Sequence, residues 1–306
     1  MHVETFVLPS YDELALKEQR LRALVRGYGR CIVAFSGGVD SALVVAVAAA
    51  ELGHRALAVT GDSPSLPRRE RDAAREFARG IGARHEFFGT HELDDERYAA
   101  NPADRCYFCK SELYGRLIEA AHERGFATIA DGLNADDLAE IRPGRRAAAE
   151  NGVRSPLAEA HFSKGDVREL ARCLSLDVWD KPAAACLSSR FPTGTAITAE
   201  LLERVERAED VLIAAGFRDC RLRHHGDVAR IEVPSDRLEA VVAMREPIVA
   251  GIRAAGYRHV SLDLAGYERG GVAAPPSASN VIDLVSLRVS SSQDGISMMV
   301  KDETNA

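Results

Sequence analysis

The stretch Ser36-Gly37-Gly38-Val39-Asp40-Ser41 follows a short apolar run, Arg30 to Phe35, and leads into an Ala/Val/Leu-rich segment of helical length, Ser41 to Leu52. A strand that turns through glycines into a helix points several backbone N–H groups and a helix N-terminus at one spot, which suits an anion. Gly37 and Gly38 permit a close backbone approach that side chains would block. Ser36 and Ser41 offer hydroxyl donors to phosphate, and Asp40 is placed to cap the helix or orient a metal ion. The lysine of the GxxxxGKS/T loop is missing, so transfer of a γ-phosphoryl group is not implied. For a bare Ser-Gly-Gly, a capped strand-to-helix turn would be the favoured reading.

A second group of reactive residues surrounds Cys186, in Trp179 to Pro192 (WDKPAAACLSSRFP). Lys181 and Arg190 flank the thiol in sequence and are expected to lower its pKa, as a nucleophile requires. The plainer alternative is a small core residue. Cys106-Tyr107-Phe108-Cys109 reads as a CxxC on a loop before a helix, suited to a redox pair or half of a metal site. No second CxxC completes a four-thiolate zinc site. With Cys186 the pair would supply three thiolates to an iron–sulfur cluster of the 4Fe–4S type, leaving one iron open for an extra sulfur; a structural or idle thiol pair is the alternative. Core packing suffices for Cys31 and Cys173, while Cys220 begins a strand and is placed near a ligand. Arg221 and Arg223 alternate along that strand and share a face, where paired guanidinium groups can grip a phosphate. His224 and His225 face opposite ways on it and are given no catalytic role.

The elements that must position these residues alternate strand with helix. After the helical segment Asp12 to Val25 and the first strand, a second strand covers about Ala56 to Thr60. A helix from about Pro67 to Ile81 follows, with Pro67 suited to its first turn. Next come a strand at His85 to Phe88, a helix around Ser111 to Arg124 and a strand at Thr128 to Ala130. This order implies right-handed crossovers and an α/β fold, a mostly parallel sheet with helices on both faces. Ligands of such sheets collect at the carboxyl ends of the strands. The hexapeptide, Thr60-Gly61-Asp62-Ser63 and Asp131-Gly132-Leu133-Asn134 all fall there. After about residue 195 the pattern changes. A helix over Thr198 to Ala214, strands at Cys220 to His225 and Val228 to Val233, a helix from Ser235 to Ala255 and a strand at His259 to Leu264 form a small α+β unit. The expected organisation is a nucleotide domain over 1–195, the α+β unit over 196–269 and a poorly ordered tail over 270–306, in which Val281 to Val289 has the pattern of a docking strand.

The chain has 306 residues, 46% of them hydrophobic, enough to bury a sizeable core. Its formal charge of −7 argues against broad binding to nucleic acid, which needs clustered Lys and Arg. With no targeting segment and no apolar stretch of membrane-spanning length, the expected location is the cytoplasm. Six cysteines in a chain this long fit reduced thiols better than a disulfide framework.

The full hexapeptide, placed after the first strand of an α/β sheet, resembles the pyrophosphate-binding loop of the N-type ATP pyrophosphatase (PP-loop) superfamily. That superfamily includes GMP synthetase, NAD synthetase, argininosuccinate synthetase and tRNA thiolation enzymes, and the resemblance implies an adenine nucleotide alpha hydrolase-like fold. Its members cleave ATP between the α and β phosphates, transfer AMP to a substrate oxygen and then admit a nucleophile. Together with GDSPSLPRRE, GLNADD, SPLAE, KPAAACLSSRFP and RLRHHGDVARIEVP, the loop makes the chain similar to the LarE family of ATP-dependent sacrificial sulfur transferases, from about Leu21 to Tyr267.

What the resemblance implies is a defined reaction. A carboxylate of pyridinium-3,5-biscarboxylic acid mononucleotide is adenylated, the active-site cysteine, here Cys186, attacks, and AMP leaves. Cleavage of the Cβ–S bond gives a thiocarboxylate on the product and dehydroalanine in the protein, and the product matures into the nickel-pincer nucleotide of lactate racemase. The implied ATP site comprises Ser36, Gly37, Gly38, Val39, Asp40, Ser41, Thr60 and Gly132. Mg²⁺ would be held by Asp40 with Asp136 or Asp137. Arg221 and Arg223 would bind the substrate phosphate, Glu232 matches a functional acid, and Glu209 is a weaker match. A homo-oligomer is implied. The competing readings are a tRNA-thiolating enzyme using Cys186 with Cys106 or Cys109 as a persulfide carrier, an amidating ligase, and a non-enzymatic nucleotide-binding subunit. The acidic charge counts against the first of these.

Overall fold

The computed structural model describes residues 11–139, 143–182 and 185–267, which belong to one compact unit. The expected tail and its strand at Val281 to Val289 lie outside the described residues, as do Ala183 and Ala184.

Two sheets organise the described residues. In the first, β1 (Cys31–Ala34), β2 (Ala56–Asp62), β3 (His85–Gly89) and β4 (Thr128–Ala130) run parallel in the order β3-β2-β1-β4. The central strands are apolar on both faces because both faces are covered. Cys31 and Val33 of β1, with Ala56 and Ala58 of β2, face a core built with helices α1 (Tyr11–Gly27) and α2 (Val39–Leu52). Ile32, Ala34, Leu57 and Val59 alternate to the other face, where Tyr114, Leu117 and Ala147 cover them. The fold is therefore α/β, with helices on both sides of a parallel sheet. The chain leaves β1 toward β2 on one side and places β4 on the other. This switch point puts the Ser36–Ser41 loop and the Asp131–Asn134 turn side by side.

Helices α3 (Arg68–Gly80), α4 (Glu96–Ala99), α5 (Arg105–Arg124), α6 (Pro143–Glu150), α7 (Pro156–Glu159) and α8 (Lys164–Cys173) fill the connections. Pro67 is the residue before α3 and not within its first turn. Helix α5 starts six residues ahead of the expected Ser111, so Cys106 and Cys109 lie in its opening turns and not on a loop. Cys173, expected in the core, is exposed at the end of α8.

The second sheet has the order β5 (Arg221–His225), β6 (Val228–Glu232), β7 (His259–Leu262), with β5 and β6 antiparallel and β6 and β7 parallel. It packs Leu222, Ala229, Ile231 and Val233 against α9 (Ala199–Ala214), α10 (Leu238–Ala243) and α11 (Arg245–Ala254). The single helix expected over Ser235 to Ala255 is broken at Met244. Pro247 explains the break: it has no N–H to donate to Ala243, and its ring would clash with that carbonyl. A smaller cluster of Leu187, Phe191, Ile197, Leu202 and Val205 seats the Cys186 segment against α9. No helix among the described residues is long and apolar enough to cross a membrane.

Candidate active site

The Ser36–Ser41 loop is preset by its own hydroxyls. Ser41 Oγ donates to the Gly38 carbonyl at 3.1 Å and accepts from Ser36 N at 3.2 Å, while the two serine Oγ atoms lie 3.1 Å apart. Gly37 has φ of +77°, the left-handed region that glycine enters without strain. Gly38 is the residue before α2, and no side chain caps that helix, so its first N–H groups are left for a ligand. Asp40 is not the cap that the sequence suggested. Its carboxylate accepts from Asn134 Nδ2 at 3.0 Å and pairs with the Lys164 ammonium, which joins the loop to the turn after β4. Val39 is buried in the core and can contribute only its backbone.

Thr60 is buried at the end of β2, donates to the Phe35 carbonyl at 2.8 Å and lies 2.9 Å from His85 Nε2. Gly132 lies so close to α2 that an added Cβ would stand 2.5 Å from Ser41 N and 2.9 Å from Asp40 C. Glycine is therefore required there by the approach of two loops. Gly132→Ala is expected to force these backbones apart, lowering stability by ~1–3 kcal/mol as an overpacked site does. ATP affinity should fall at least tenfold, since the loop itself moves; titration calorimetry with a non-hydrolysable ATP analogue, beside a thermal melt, checks both.

The three candidate metal acids separate. Asp137 lines the same cavity of about 410 Å³ as Asp40, Ser36, Ser41 and Gly132. Asp136 Oδ2 instead accepts from the Lys164 backbone N–H at 2.7 Å. Among the described residues no three His, Cys, Asp or Glu side chains gather as a metal-holding group.

Cys186 precedes a 3₁₀ turn, Leu187–Arg190, and its backbone is held from several directions. Its carbonyl accepts from Ser189 Oγ at 2.8 Å and Arg190 Nη1 at 3.0 Å, while Leu187 N donates to the Ser65 carbonyl at 2.9 Å. The thiol is half-buried and faces a cavity of about 160 Å³ shared with Ser36, Thr60, Glu92, Cys109 and Lys110. The two cations expected to acidify it are engaged elsewhere. Lys181 Nζ donates to the Gly37 carbonyl at 3.1 Å and to Glu70 at 2.7 Å, bracing the Ser36–Ser41 loop. Arg190, almost wholly buried, is paired with Glu209 at 2.7 Å and also donates to the Ala185 carbonyl at 2.8 Å.

Cys109 shares the Cys186 cavity, and its thiol is pushed up to about 12, by burial first and then by the charges of Glu92 and Cys186. Cys106 is exposed and lines an adjoining cavity. Cys31 and Cys220 are buried, and burial raises both thiols to about 12, which removes them as nucleophiles.

That adjoining cavity, about 310 Å³, contains Arg221, Arg223, Arg105 and Ser189 and shares Ala185 with the Cys186 cavity. Alternation along β5 brings the two arginines to one face, as the sequence indicates. Arg223 Nε donates to Glu232 at 2.9 Å and its Nη1 to the Ser189 carbonyl at 2.8 Å; Arg221 lies 5.0 Å from the centre of the Tyr267 ring. Glu232 also pairs with Arg230 at 3.1 Å, so it orients guanidinium groups. Glu209 is fully buried behind the Cys186 turn, bound to Arg190, to Arg69 at 2.8 Å and to Leu222 N at 3.1 Å. Sequence reasoning missed Glu92, Lys110, Asn134 and Lys164. Asn134 stood inside the GLNADD motif, but the others carry no local signal and are recruited by the fold.

The parallel sheet, the uncapped helix after Ser-Gly-Gly-Val-Asp-Ser and the glycine-tight turn after β4 define an ATP-using PP-loop enzyme. The asparagine synthase family model matches residues 18–104, which span the loop. The chain is 45% identical to an uncharacterised protein of Synechocystis sp. over 84% of its own length and 97% of the relative's. It is 38% identical to the pyridinium-3,5-bisthiocarboxylic acid mononucleotide synthase of Lactiplantibacillus plantarum, over 84% and 94% of the two chains. One subunit of the glutamine-hydrolysing GMP synthase of Archaeoglobus fulgidus is 30% identical over 58% of each chain. The chain belongs to the LarE family of ATP-dependent sulfur transferases.

Proposed function

We propose that the protein adenylates a carboxylate of pyridinium-3,5-biscarboxylic acid mononucleotide and transfers the sulfur of Cys186 to it. The observation that carries this reading is the position of Cys186. Its cavity contains Ser36 of the phosphate loop on one side and meets the Arg221/Arg223 cavity at Ala185 on the other. A mononucleotide held by its phosphate at the arginines can present a carboxylate between the loop and the thiol. The name of the L. plantarum relative supports the choice of substrate.

Each step uses groups already placed. The substrate carboxylate attacks the α-phosphorus of ATP, and pyrophosphate leaves, stabilised by the α2 N-terminus and the loop hydroxyls. Cys186 sulfur then attacks the acyl carbon, a C–S bond forms, and AMP departs with the electron pair of the broken C–O bond. Loss of the Cys186 α-proton with cleavage of the Cβ–S bond releases the thiocarboxylate and leaves dehydroalanine. Mg²⁺ fits Asp40 and Asp137, because this ion takes one or two carboxylates and fills its remaining positions with phosphate oxygens and water. It would offset phosphate charge during adenylation. The iron–sulfur alternative does not fit as well: Cys109 and Cys186 line one cavity and Cys106 the adjoining one, and the three do not gather as a metal-holding group among the described residues. Sulfur transfer is therefore written on Cys186 alone. The nucleotide domain over 1–195 and the α+β unit over 196–269, a homo-oligomeric state, a cytoplasmic location and a place in nickel-pincer nucleotide synthesis belong to the same proposal.

Incubation with MgATP and the biscarboxylated mononucleotide is expected to lower the intact protein mass by the equivalent of hydrogen sulfide, localised to Cys186, with AMP formed. Thiolated product from protein of unchanged mass would refute the sacrificial role.

A further inference from the structure

Glu92 opens a 3₁₀ turn, Glu92–Asp94, between β3 and α4 and is 3% exposed. Its Oε1 accepts from Ser63 Oγ at 2.6 Å and from Ser65 Oγ at 3.0 Å. Its Oε2 is buried and has no hydrogen-bond partner among the described residues. A buried carboxylate oxygen left without a donor is costly to the fold and wants an explanation. Holding the Ser63–Ser65 turn explains Oε1 and leaves Oε2 unexplained. Glu92 lines the cavity of Cys186, and the Ser65 carbonyl that receives Leu187 N ties its turn to the residue after the thiol.

We infer that Glu92 is the general base that takes the Cys186 thiol proton as sulfur attacks the acyl-adenylate. The inference rests on the sulfur-transfer reading above and names a residue for a proton that Lys181 and Arg190 cannot accept. In this step the Sγ–H proton moves to Glu92 Oε2, the sulfur lone pair forms the C–S bond, and AMP leaves with the C–O pair. The proton passes to water when product departs. The other titratable groups around the cavity are poor acceptors. Lys110 is held protonated, first by Tyr114 and against the desolvation that opposes it. Burial keeps Tyr98 a neutral phenol. Cys109 is itself a raised thiol, and Glu70 is tied to Lys181.

The test is Glu92→Gln, which keeps the acceptor for Ser63 and Ser65. Substrate-dependent ATP–pyrophosphate exchange should stay within about twofold of wild type, while single-turnover AMP release falls about 10²- to 10⁴-fold. Between about pH 6 and 9 the logarithm of that rate should climb with a slope near 1 in the variant, where hydroxide replaces the base, and level off in the wild type. Glu92→Asp should keep the level profile at a lower rate, and formate should restore AMP release to Glu92→Ala. A uniform loss with the wild-type profile and no rescue, or loss of exchange together with transfer, would make Glu92 structural and overturn the inference. Absence of substrate-dependent exchange in the wild type would instead overturn the sulfur-transfer reading, and the base with it.

Discussion

Cys186→Ala is expected to abolish thiocarboxylate formation, by at least ~10⁴-fold as loss of a nucleophile does, while substrate-dependent ATP–pyrophosphate exchange survives. The two halves of the reaction are separable because different elements hold them. In the proposed reaction adenylation uses the loop between β1 and α2, whose geometry is fixed by Ser36, Ser41 and Lys181 and owes nothing to the thiol. Sulfur delivery uses a side chain whose position is fixed through its backbone, by Ser189, Arg190 and Leu187. Truncating the side chain at Cβ leaves those bonds intact, so the melting temperature should move by only a few degrees, as for a substitution of a half-buried side chain away from any network. The adenylate should accumulate on the enzyme and appear as a burst of pyrophosphate without matching AMP. Cys186→Ser sharpens the result: its oxygen can form an ester and release AMP, yet no sulfur can reach the product. Thiocarboxylate formed by either variant at more than background rate would show that another thiol supplies the sulfur.

The distribution of these roles explains what could be read from the chain alone. The phosphate loop was legible because its determinants are local: an apolar strand, two glycines and a helical run within a few residues of one another. The shared face of Arg221 and Arg223 was legible for a similar reason, since strand alternation fixes it once the strand is identified. Side-chain partners were not. Lys181 and Arg190 lie five residues before and four after Cys186 in sequence, but a long cation goes to the best acceptor the fold presents. For Lys181 that is Gly37 O with Glu70, and for Arg190 it is Glu209, on a helix that follows the thiol segment. Glu92 follows the edge strand β3 and has no local motif; only the cavity identifies it. The early start of α5 and the break before α11 had determinants in view. Pro102 starts the turn whose carbonyl receives Arg105 N at 3.0 Å, and Pro247 ends α10, but apolar periodicity alone passes over both.

Glu209→Gln is expected to lower stability by ~3–5 kcal/mol, the range found when one partner of a buried ion pair is removed. Glu209 is fully buried, and both its oxygens are engaged, with Arg190 at 2.7 and 3.1 Å and Arg69 at 2.8 Å. Burial alone would raise this carboxyl, but Arg190 and Arg69 outweigh it and hold its pKa below the ordinary value. The sign follows from linkage: the unfolded chain binds the proton more readily, so this stabilisation is present above about pH 4.3, the ordinary glutamate value, and is lost as pH falls through the lowered native value. Urea unfolding at pH 7 should show the loss as a lower midpoint with unchanged slope. The wild-type advantage over the glutamine variant should narrow in acid. Replacing Arg190 alone should cost as much or more, because its guanidinium also holds the carbonyls of Ala185 and Cys186. Activity distinguishes positioning from chemistry. If Glu209 acts only through Arg190, its loss should lower sulfur transfer while leaving the pH profile of AMP release as in the wild type, with adenylation the less affected half. A glutamine variant of full stability with a displaced pH profile would instead place Glu209 among the groups that move protons, and would transfer to it the part assigned to Glu92.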